Sequence, residues 1–323
     1  MNRRKLRNYA LAAAAAVSGA LEAPRLAHSP LSVATAEMAG APSALAGAIT
    51  KVAASVTGKH MGFDTNVYPG DRAMDAWKRS GEYEWVGYYL SAPCHSDDTW
   101  TGTRSKLLAN GWGLAVIYVG QQTWGKSYKP VTTTKKVRVA TKTKTGKRHF
   151  ITRTMKRTST IPVATTNTGH CSASFVNTAQ GRIDARDAIA TTAREGFPRG
   201  TVVFLDVEYM DALPQRMRDY YRAWTKEMLA DGRYRPGIYA HTRNAGTIYD
   251  DVGEEYDSAG VAGDPPFWIA GKGSFSTESS PTEVGHSFAT AWQGMLDVVR
   301  THNGVKLPVD ISVSSVASPS LTQ

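Results

Sequence analysis

The stretch TVVFLDVEY, residues 201–209, decides the fold. Val202, Val203, Phe204 and Leu205 form an unbroken apolar run. That is the composition of a parallel strand covered by helices on both faces, not of a half-exposed antiparallel one. The run closes on two acids, Asp206 and Glu208. Alternate strand residues share a face, so the two carboxylates project side by side from one strand end, an arrangement suited to acid/base chemistry on a bound substrate.

Working outward, seven further short apolar runs punctuate the chain: MGFDTN (61–66), YEWVGYYL (83–90), GLAVIYVG (113–120), RPGIYAHT (235–242), PFWIAG (266–271), SFATAWQG (287–294) and PVDISV (308–313). Helical patterns fall between them at about 72–80, 102–110, 184–195, 214–231 and 244–256. Such alternation predicts a parallel sheet with helices outside it, and eight runs suit a barrel. Between residues 270 and 289 there is only a Ser/Gly/Thr-rich loop. The expectation is therefore an α/β fold, a modified, partly degenerate (β/α)8 TIM-type barrel lacking a helix near its end, with an open doubly wound sheet as the rival. The barrel is expected over 59–316, followed by a tail at 317–323.

At 323 residues, 41% hydrophobic and 20% charged, the composition is that of a soluble globular protein. Its N-terminus reads as an export signal over 1–27. Arg3, Arg4, Lys5 and Arg7 make a basic head, and residues 10–21 an Ala-rich apolar stretch. The twin arginines in NRRKLR admit twin-arginine export alongside the general route, and an organelle transit peptide is the bland alternative. Residues 28–58, rich in Ala, Ser, Thr and Pro, read as a low-complexity linker. No transmembrane segment is expected in the mature chain. Two cysteines, Cys94 and Cys171, each stand beside a histidine. For an exported protein a disulfide is the expectation; two free thiols or a zinc site with His95 and His170 are the other readings. No cofactor is expected.

The segment at about 125–170 interrupts the alternation. From Lys126 to Arg157 it holds twelve cations and no Asp or Glu, in a chain of net charge +10, so the remainder is net acidic. Thr145 and Gly146 separate two Thr- and Val-containing arms, which predicts a protruding hairpin, with disorder as the alternative. Clustered cations suit an anionic polymer of the cell envelope; the bland reading is a solvated excursion. Nucleic acid is not expected, since only Tyr128 and Phe150 offer stacking surfaces.

In a barrel, strand C-termini line one mouth, where Asp206, Glu208 and, by the same reasoning, Asp64 in GFDTN gather. Mutual repulsion and burial should raise at least one carboxyl pKa, leaving one group protonated as an acid. Aromatic rings near strand ends can pack on the C–H faces of sugars while amides and acids meet the hydroxyls. The expected substrate-binding residues are Tyr118, Gln121, Gln122, Tyr239, Trp268, Trp292, Gln293 and Asp310, with Trp292 and Tyr118 foremost.

Together, GFDTN, GWGLAVIYVGQQ, FLDVEYMD, YYRAWTKEMLADGRYRPGIYAH and AWQG…PVDIS resemble the bacterial exported glycoside-hydrolase-like family, formerly a domain of unknown function, related to the family 25 lysozyme-type muramidases. The similarity runs from about residue 60 to 314 apart from the basic insertion. It implies a modified barrel whose Asp-x-Glu strand end is the catalytic centre, with Glu208 as general acid, Asp206 orienting or stabilising the reacting sugar, Asp64 a further acidic contact and Asp310 a late-strand substrate contact. The longer acidic ladder of chitinase-like barrels is absent, since Phe204 stands two places before Asp206. The expected function is that of an exported hydrolase cleaving peptidoglycan or another N-acetylated envelope glycan. A catalytically silent carbohydrate- or polyanion-binding barrel of the envelope is the alternative, and a secreted effector a third.

Overall fold

The computed structural model describes residues 59–124, 128–162 and 171–321. The expected export signal and linker lie outside them. In chain order the elements are β1 (His60–Asp64), α1 (Asp71–Lys78), β2 (Trp85–Tyr89), α2 (Arg104–Ala109), β3 (Gly113–Tyr118), β4 (Tyr128–Lys142), β5 (Arg148–Pro162), α3 (Thr178–Arg194), β6 (Val202–Val207), α4 (Gln215–Asp231), β7 (Arg235–His241), α5 (Thr242–Ser258), β8 (Phe267–Ala270), β9 (Ala289–His302) and β10 (Val305–Ser314). Eight strands close a barrel in the order β1-β10-β9-β8-β7-β6-β3-β2, and β4-β5 form a separate two-stranded sheet. The eight apolar runs are the eight barrel strands. The helix expected to be missing after residue 270 is indeed replaced by a single 3-10 turn, Pro281–Val284.

One expectation is corrected. Neighbouring strands from β1 round through β2 to β9 are parallel, but β10 runs antiparallel to both β9 and β1. The cause lies in the turn: β9 and β10 are joined by Asn303 and Gly304, both at positive φ (47° and 79°). This is the Asn-Gly hairpin turn, and two residues cannot make the crossover that parallel strands need. Past the barrel rim this hairpin folds back over α1. Trp77 Nε1 donates to the Val305 carbonyl at 3.1 Å, Asn303 Nδ2 to the Ala76 carbonyl at 2.8 Å, and the His302 ring packs 4.7 Å from that of Trp77. The β-ribbon thus packs on α1, whose Trp77 lies 4.6 Å from Phe63 on the outer face of β1.

The barrel interior is filled by large rings set against glycines. Trp85 and Trp268 meet edge to face at 5.3 Å, and Phe204 lies 6.0 Å from Trp268. A Cβ on Gly62 would stand 2.1 Å from the Trp85 ring, and one on Gly237 would stand 2.8 Å from Phe204. Small residues on one strand leave the volume that the next strand's ring occupies. At the opposite end from the mouth, residues 318–320, read from sequence as tail, are built into the barrel wall. β3 and β6 pair only from Val116 and Val203 onward. Below that point Ser320 bridges them: its N–H donates to the Leu114 carbonyl, its Oγ accepts from Val116 N–H at 2.6 Å, and its carbonyl accepts from Val202 N–H at 2.8 Å.

The basic segment forms the expected hairpin, with β4 and β5 paired residue for residue from Tyr128–Pro162 to Lys142–Arg148 and Gly146 at φ 82° in the turn. Its root is tied by the Cys94–Cys171 disulfide, 77 residues apart in sequence. The disulfide expectation therefore holds over the zinc and free-thiol readings. Among the described residues, no helix is long and apolar enough to cross a membrane.

The glycine–ring packing makes a paired prediction. Gly62→Ala forces a methyl into Trp85 and is expected to cost at least about 2 kcal/mol of stability. Gly253→Ala, within α5 with nothing within 4 Å of the added carbon, is expected to stabilise by about 0.5–1 kcal/mol through helix propensity. Urea unfolding of the two variants beside the parent checks both signs; equal effects would contradict this account of the interior.

Candidate active site

The acids gather at the mouth because the strands that carry them end there on inward-facing positions. In β6 every residue is buried, and Asp206 follows Phe204 on the interior face. Asp64 ends β1, and the antiparallel register sets it directly opposite Asp310 of β10. Gly87 of β2 makes room for it, since a Cβ there would lie 2.6 Å from that of Asp64.

Asp64 is buried and held from both sides. Tyr89 of β2 donates its hydroxyl to Oδ1 at 2.7 Å, and Gln293 of β9 donates Nε2 to Oδ2 at 2.7 Å. Gln293 Oε1 in turn accepts from the Tyr239 hydroxyl at 2.6 Å. A continuous chain of hydrogen bonds therefore crosses the mouth from β7 through β9 to β1 and β2. Burial is the main cause that drives the Asp64 pKa up from 3.8 to about 8, reinforced by the charges of Asp310 and Glu208, against the pull of its two hydrogen-bond donors.

Asp206 stands in register with Tyr239. It is buried, and its Oδ1 has no hydrogen-bond partner. Burial, then the charges of Glu208 and Asp64, push its pKa well above the ordinary carboxylate value. Crowding of acids in a buried place favours the protonated form. Glu208, one residue beyond β6, is half-buried. Gln122 fixes that strand end: its Nε2 donates to the Asp206 carbonyl at 2.8 Å and its Oε1 accepts from Glu208 N–H at 3.3 Å. Asp310 is half-buried, and its Oδ1 accepts from Asp297 N–H at 2.5 Å, where Asp297 turns the β9–β10 ribbon at φ 54°.

Of the residues expected from sequence, the structure thus brings together Asp64, Asp206, Glu208, Asp310, Gln122, Tyr239 and Gln293. It takes others elsewhere. Tyr118 is fully buried on the outer face of β3, where its hydroxyl donates to Asp187 of α3 at 2.9 Å. Trp292 likewise faces outward, its Nε1 on the Gly271 carbonyl at 2.9 Å and its ring against Phe275. Nearness to a strand end did not decide their place; the face of the strand did, because each lies one position away from an inward residue, Ile117 or Gln293. Gln121 is buried and structural, its Oε1 accepting from Ser172 N–H at 2.8 Å beside the disulfide. Trp268 sits beneath the site, sealed in the interior with its ring 5.3 Å from Tyr239 and its Nε1 on Ser312 Oγ.

Tyr89, which grips Asp64, stands beside Tyr88 among the strand-end aromatics of the sequence, and nearness to the strand end does not separate the two. The signal was its parity: it lies two residues after Gly87, on the face that a glycine had cleared. Two exposed rings lie close in sequence to the site residues, Trp124 two residues past Gln122 (49% exposed) and Tyr209 next to Glu208 (46% exposed). Among the described residues no group of His, Cys, Asp or Glu is arranged to hold a metal ion.

The sequence profile of the Rv2525c-like, glycoside hydrolase-like domain matches residues 75–313. No curated protein matches the chain by sequence. Among solved structures, an uncharacterized Bacillus stearothermophilus protein is similar at 16% identity and TM-score 0.50, over 79% of this chain and 95% of that one. The Clostridium perfringens spore cortex lytic enzyme SleM gives 15% and 0.46, over 79% and 67%. The Mycobacterium tuberculosis Tat-secreted protein Rv2525c gives 15% and 0.40, over 79% and 94%. The first of these likenesses bears on the fold alone.

The raised carboxyls predict how stability depends on pH. In the unfolded chain Asp64 ionises near 3.8, whereas the folded chain keeps its proton up to about 8. Between those values the folded state binds more protons, so its stability is fullest at the acid end and falls as pH rises through the window. The denaturant midpoint should decline steadily from pH 5 to 8, and Asp64→Asn should make that decline shallower, leaving the part due to Asp206. An unchanged slope in the variant would show that Asp64 is ionised in the folded protein.

Proposed function

From the chain's membership of the Rv2525c-like, glycoside hydrolase-like domain family, to which it belongs by a match over most of its length, we propose that it is an exported glycosidase acting on peptidoglycan or a related N-acetylated envelope glycan. The observation that carries this reading is the convergence of Asp206, Glu208 and Asp64 at the barrel mouth, with burial favouring the protonated form of Asp206 and Asp64 and with Glu208 nearer solvent. Export is supported by the basic head and Ala-rich stretch at the N-terminus and by the Cys94–Cys171 bridge, which needs an oxidising compartment. The same signs leave both the twin-arginine and the general route open.

In this reading Glu208 gives its proton to the glycosidic oxygen as the bond to the anomeric carbon breaks, the bonding pair leaving with that oxygen. A water oxygen then bonds to the anomeric carbon, directly or after the substrate's own N-acetyl oxygen has done so, and the water's proton returns to Glu208. Asp206 lies deeper, with one oxygen unbonded, placed to accept a hydrogen bond from the amide N–H of an N-acetyl group and so to orient the reacting sugar. Asp64 is a positioning residue: clamped by Tyr89 and Gln293, it anchors the hydrogen-bond chain that runs to Tyr239 beside Asp206. Gln122 holds Asp206 and Glu208 in register through their backbones. Two residues along a strand span about 6.6 Å, near the boundary between retaining and inverting separations, so spacing does not choose between outcomes. The exposed rings of Trp124 and Tyr209, on the loops that follow Gln122 and Glu208, offer sugar-stacking surface. The basic hairpin is the part of the molecule suited to an anionic envelope polymer.

Release of soluble glycan from purified cell walls tests the reading. Glu208→Gln is expected to lower it by at least about 100-fold with wall binding retained, as removal of a general acid does, and Asp206→Asn to lower it comparably. Wall binding by the parent with no release above that of Glu208→Gln would instead establish a silent carbohydrate-binding barrel.

A further inference from the structure

The strand end that carries Asp206 and Glu208 outruns its neighbour. β3 and β6 pair through their main chains from Val116–Val203 to Tyr118–Leu205, where β3 ends. Beyond that point the side chain of Gln122 takes over, its Nε2 donating to the Asp206 carbonyl and its Oε1 accepting from Glu208 N–H. A residue of one parallel strand engages the residues on either side of its neighbour in this way. The carboxamide stands in for a strand residue facing Val207 and carries the ladder on to the acids. Behind it, on the outer side of the wall, lies Tyr220 of α4, fully buried. Its hydroxyl accepts from Gln121 N–H at 2.9 Å and donates to Asp184 Oδ2 of α3 at 2.5 Å. Asp184 is also buried and takes Gln180 Nε2 on its other oxygen at 2.7 Å. Gly120 admits this approach, since a Cβ there would lie 2.3 Å from the Tyr220 hydroxyl.

We propose that Tyr220 is a positioning residue for the acids at the barrel mouth, acting through Gln121 and the Gln122 carboxamide. A carboxyl and a hydroxyl buried together between two helices and a strand are costly to desolvate, and an apolar pair would fill the same space. The apolar pair could not accept the Gln121 N–H, which lies beyond the last main-chain pair of β3 and β6. One hydrogen bond and one peptide link separate Tyr220 from Gln122, and one more hydrogen bond reaches Glu208. The next residue supplies the contrast. Tyr221 is fully buried too, and its hydroxyl donates to the buried Asp251 of α5, which also accepts from Arg218 and Arg222 of α4. That bond ties helix to helix, whereas the bond one residue earlier ties a helix to the end of the strand beside the acids. The effect on the strand end stands on this geometry alone; the effect on turnover rests on the glycosidase reading.

Amide hydrogen exchange of the full chain and glycan release from purified walls test it, with Tyr220→Phe, Tyr221→Phe and Gln122→Met. Tyr220→Phe should speed exchange of the Gln121 and Glu208 amides by about 10-fold relative to the amides of β8, the size of effect that one buried hydrogen bond carries. Reference to β8 removes any change in global stability. Gln122→Met, which leaves α4 untouched, should speed the Glu208 amide at least as much. Tyr221→Phe removes the same group from the same helix and should leave both ratios within about 2-fold of the parent's. In glycan release, Tyr220→Phe should lower the maximal rate by about 10-fold with wall binding unchanged. In the Gln122→Met background it should lower that rate by no more than about 2-fold further, because the path through the carboxamide is already cut. Equal acceleration by the two tyrosine variants, no acceleration at Glu208, or losses of release that multiply in the double variant would overturn the proposal. A parent that releases no glycan would overturn the glycosidase reading instead, and exchange alone would then decide the role of Tyr220.

Discussion

The barrel closes through one antiparallel strand, and the site depends on that closure. β10 lies between β1 and β9, and its register sets Asp310 opposite Asp64. Seven parallel strands followed by a helix and a parallel eighth would have closed the wall without bringing these two acids face to face. Closure by a hairpin crowds negative charge at the mouth and holds it in a buried place, where a carboxyl finds a proton cheaper to keep than to release. Tyr89 and Gln293 then decide which oxygens of Asp64 are occupied, leaving Asp206 as the buried acid with an unbonded oxygen. The hairpin turn at Asn303 and Gly304, on the far side of α1, is thereby coupled to the proton affinity of the site.

That turn was written in the sequence as plainly as the strands were, in THNGVK, yet the alternation of runs and helices pointed to a uniform parallel sheet. Local turn chemistry outranks an architectural pattern when the loop is two residues long, because no crossover fits into it. The eight strands and the catalytic-type acids were legible for a different reason: a fully buried strand must be apolar throughout, so an acid within or just after such a run stands out. The aromatic and amide neighbours were less legible. Every residue of β3 from Leu114 onward is buried whichever way it faces, so burial pattern alone does not distinguish Tyr118, turned toward α3, from Ile117, turned inward.

Face parity was recoverable from the glycines. Gly62, Gly87 and Gly237 are needed where a neighbour's side chain occupies the interior, so residues an even number of positions from them also face inward: Asp64, Tyr89 and Tyr239. Carrying that parity from strand to strand selects Gln293 over Trp292. The aromatic residue with the largest surface is the wrong choice on the outer face, where helices and loops consume it, and a glutamine on the inner face serves the site instead.

The hairpin insertion obeys the opposite logic to the barrel. Barrel residues are placed by burial, whereas a two-stranded ribbon has no second layer and little of its own to bury, so its stability rests on pairing and on what it contacts. The bridge from Cys171 to Cys94 ties the chain just past the excursion to the loop that follows β2, so the point of return is fixed to the barrel. Before that point the chain is free to vary its surface. From Lys126 to Arg157 it carries cations on both arms and no Asp or Glu. The physical property this changes is the linear charge density along one edge of the molecule, and that is the quantity to which a polymer with regularly repeating charges responds.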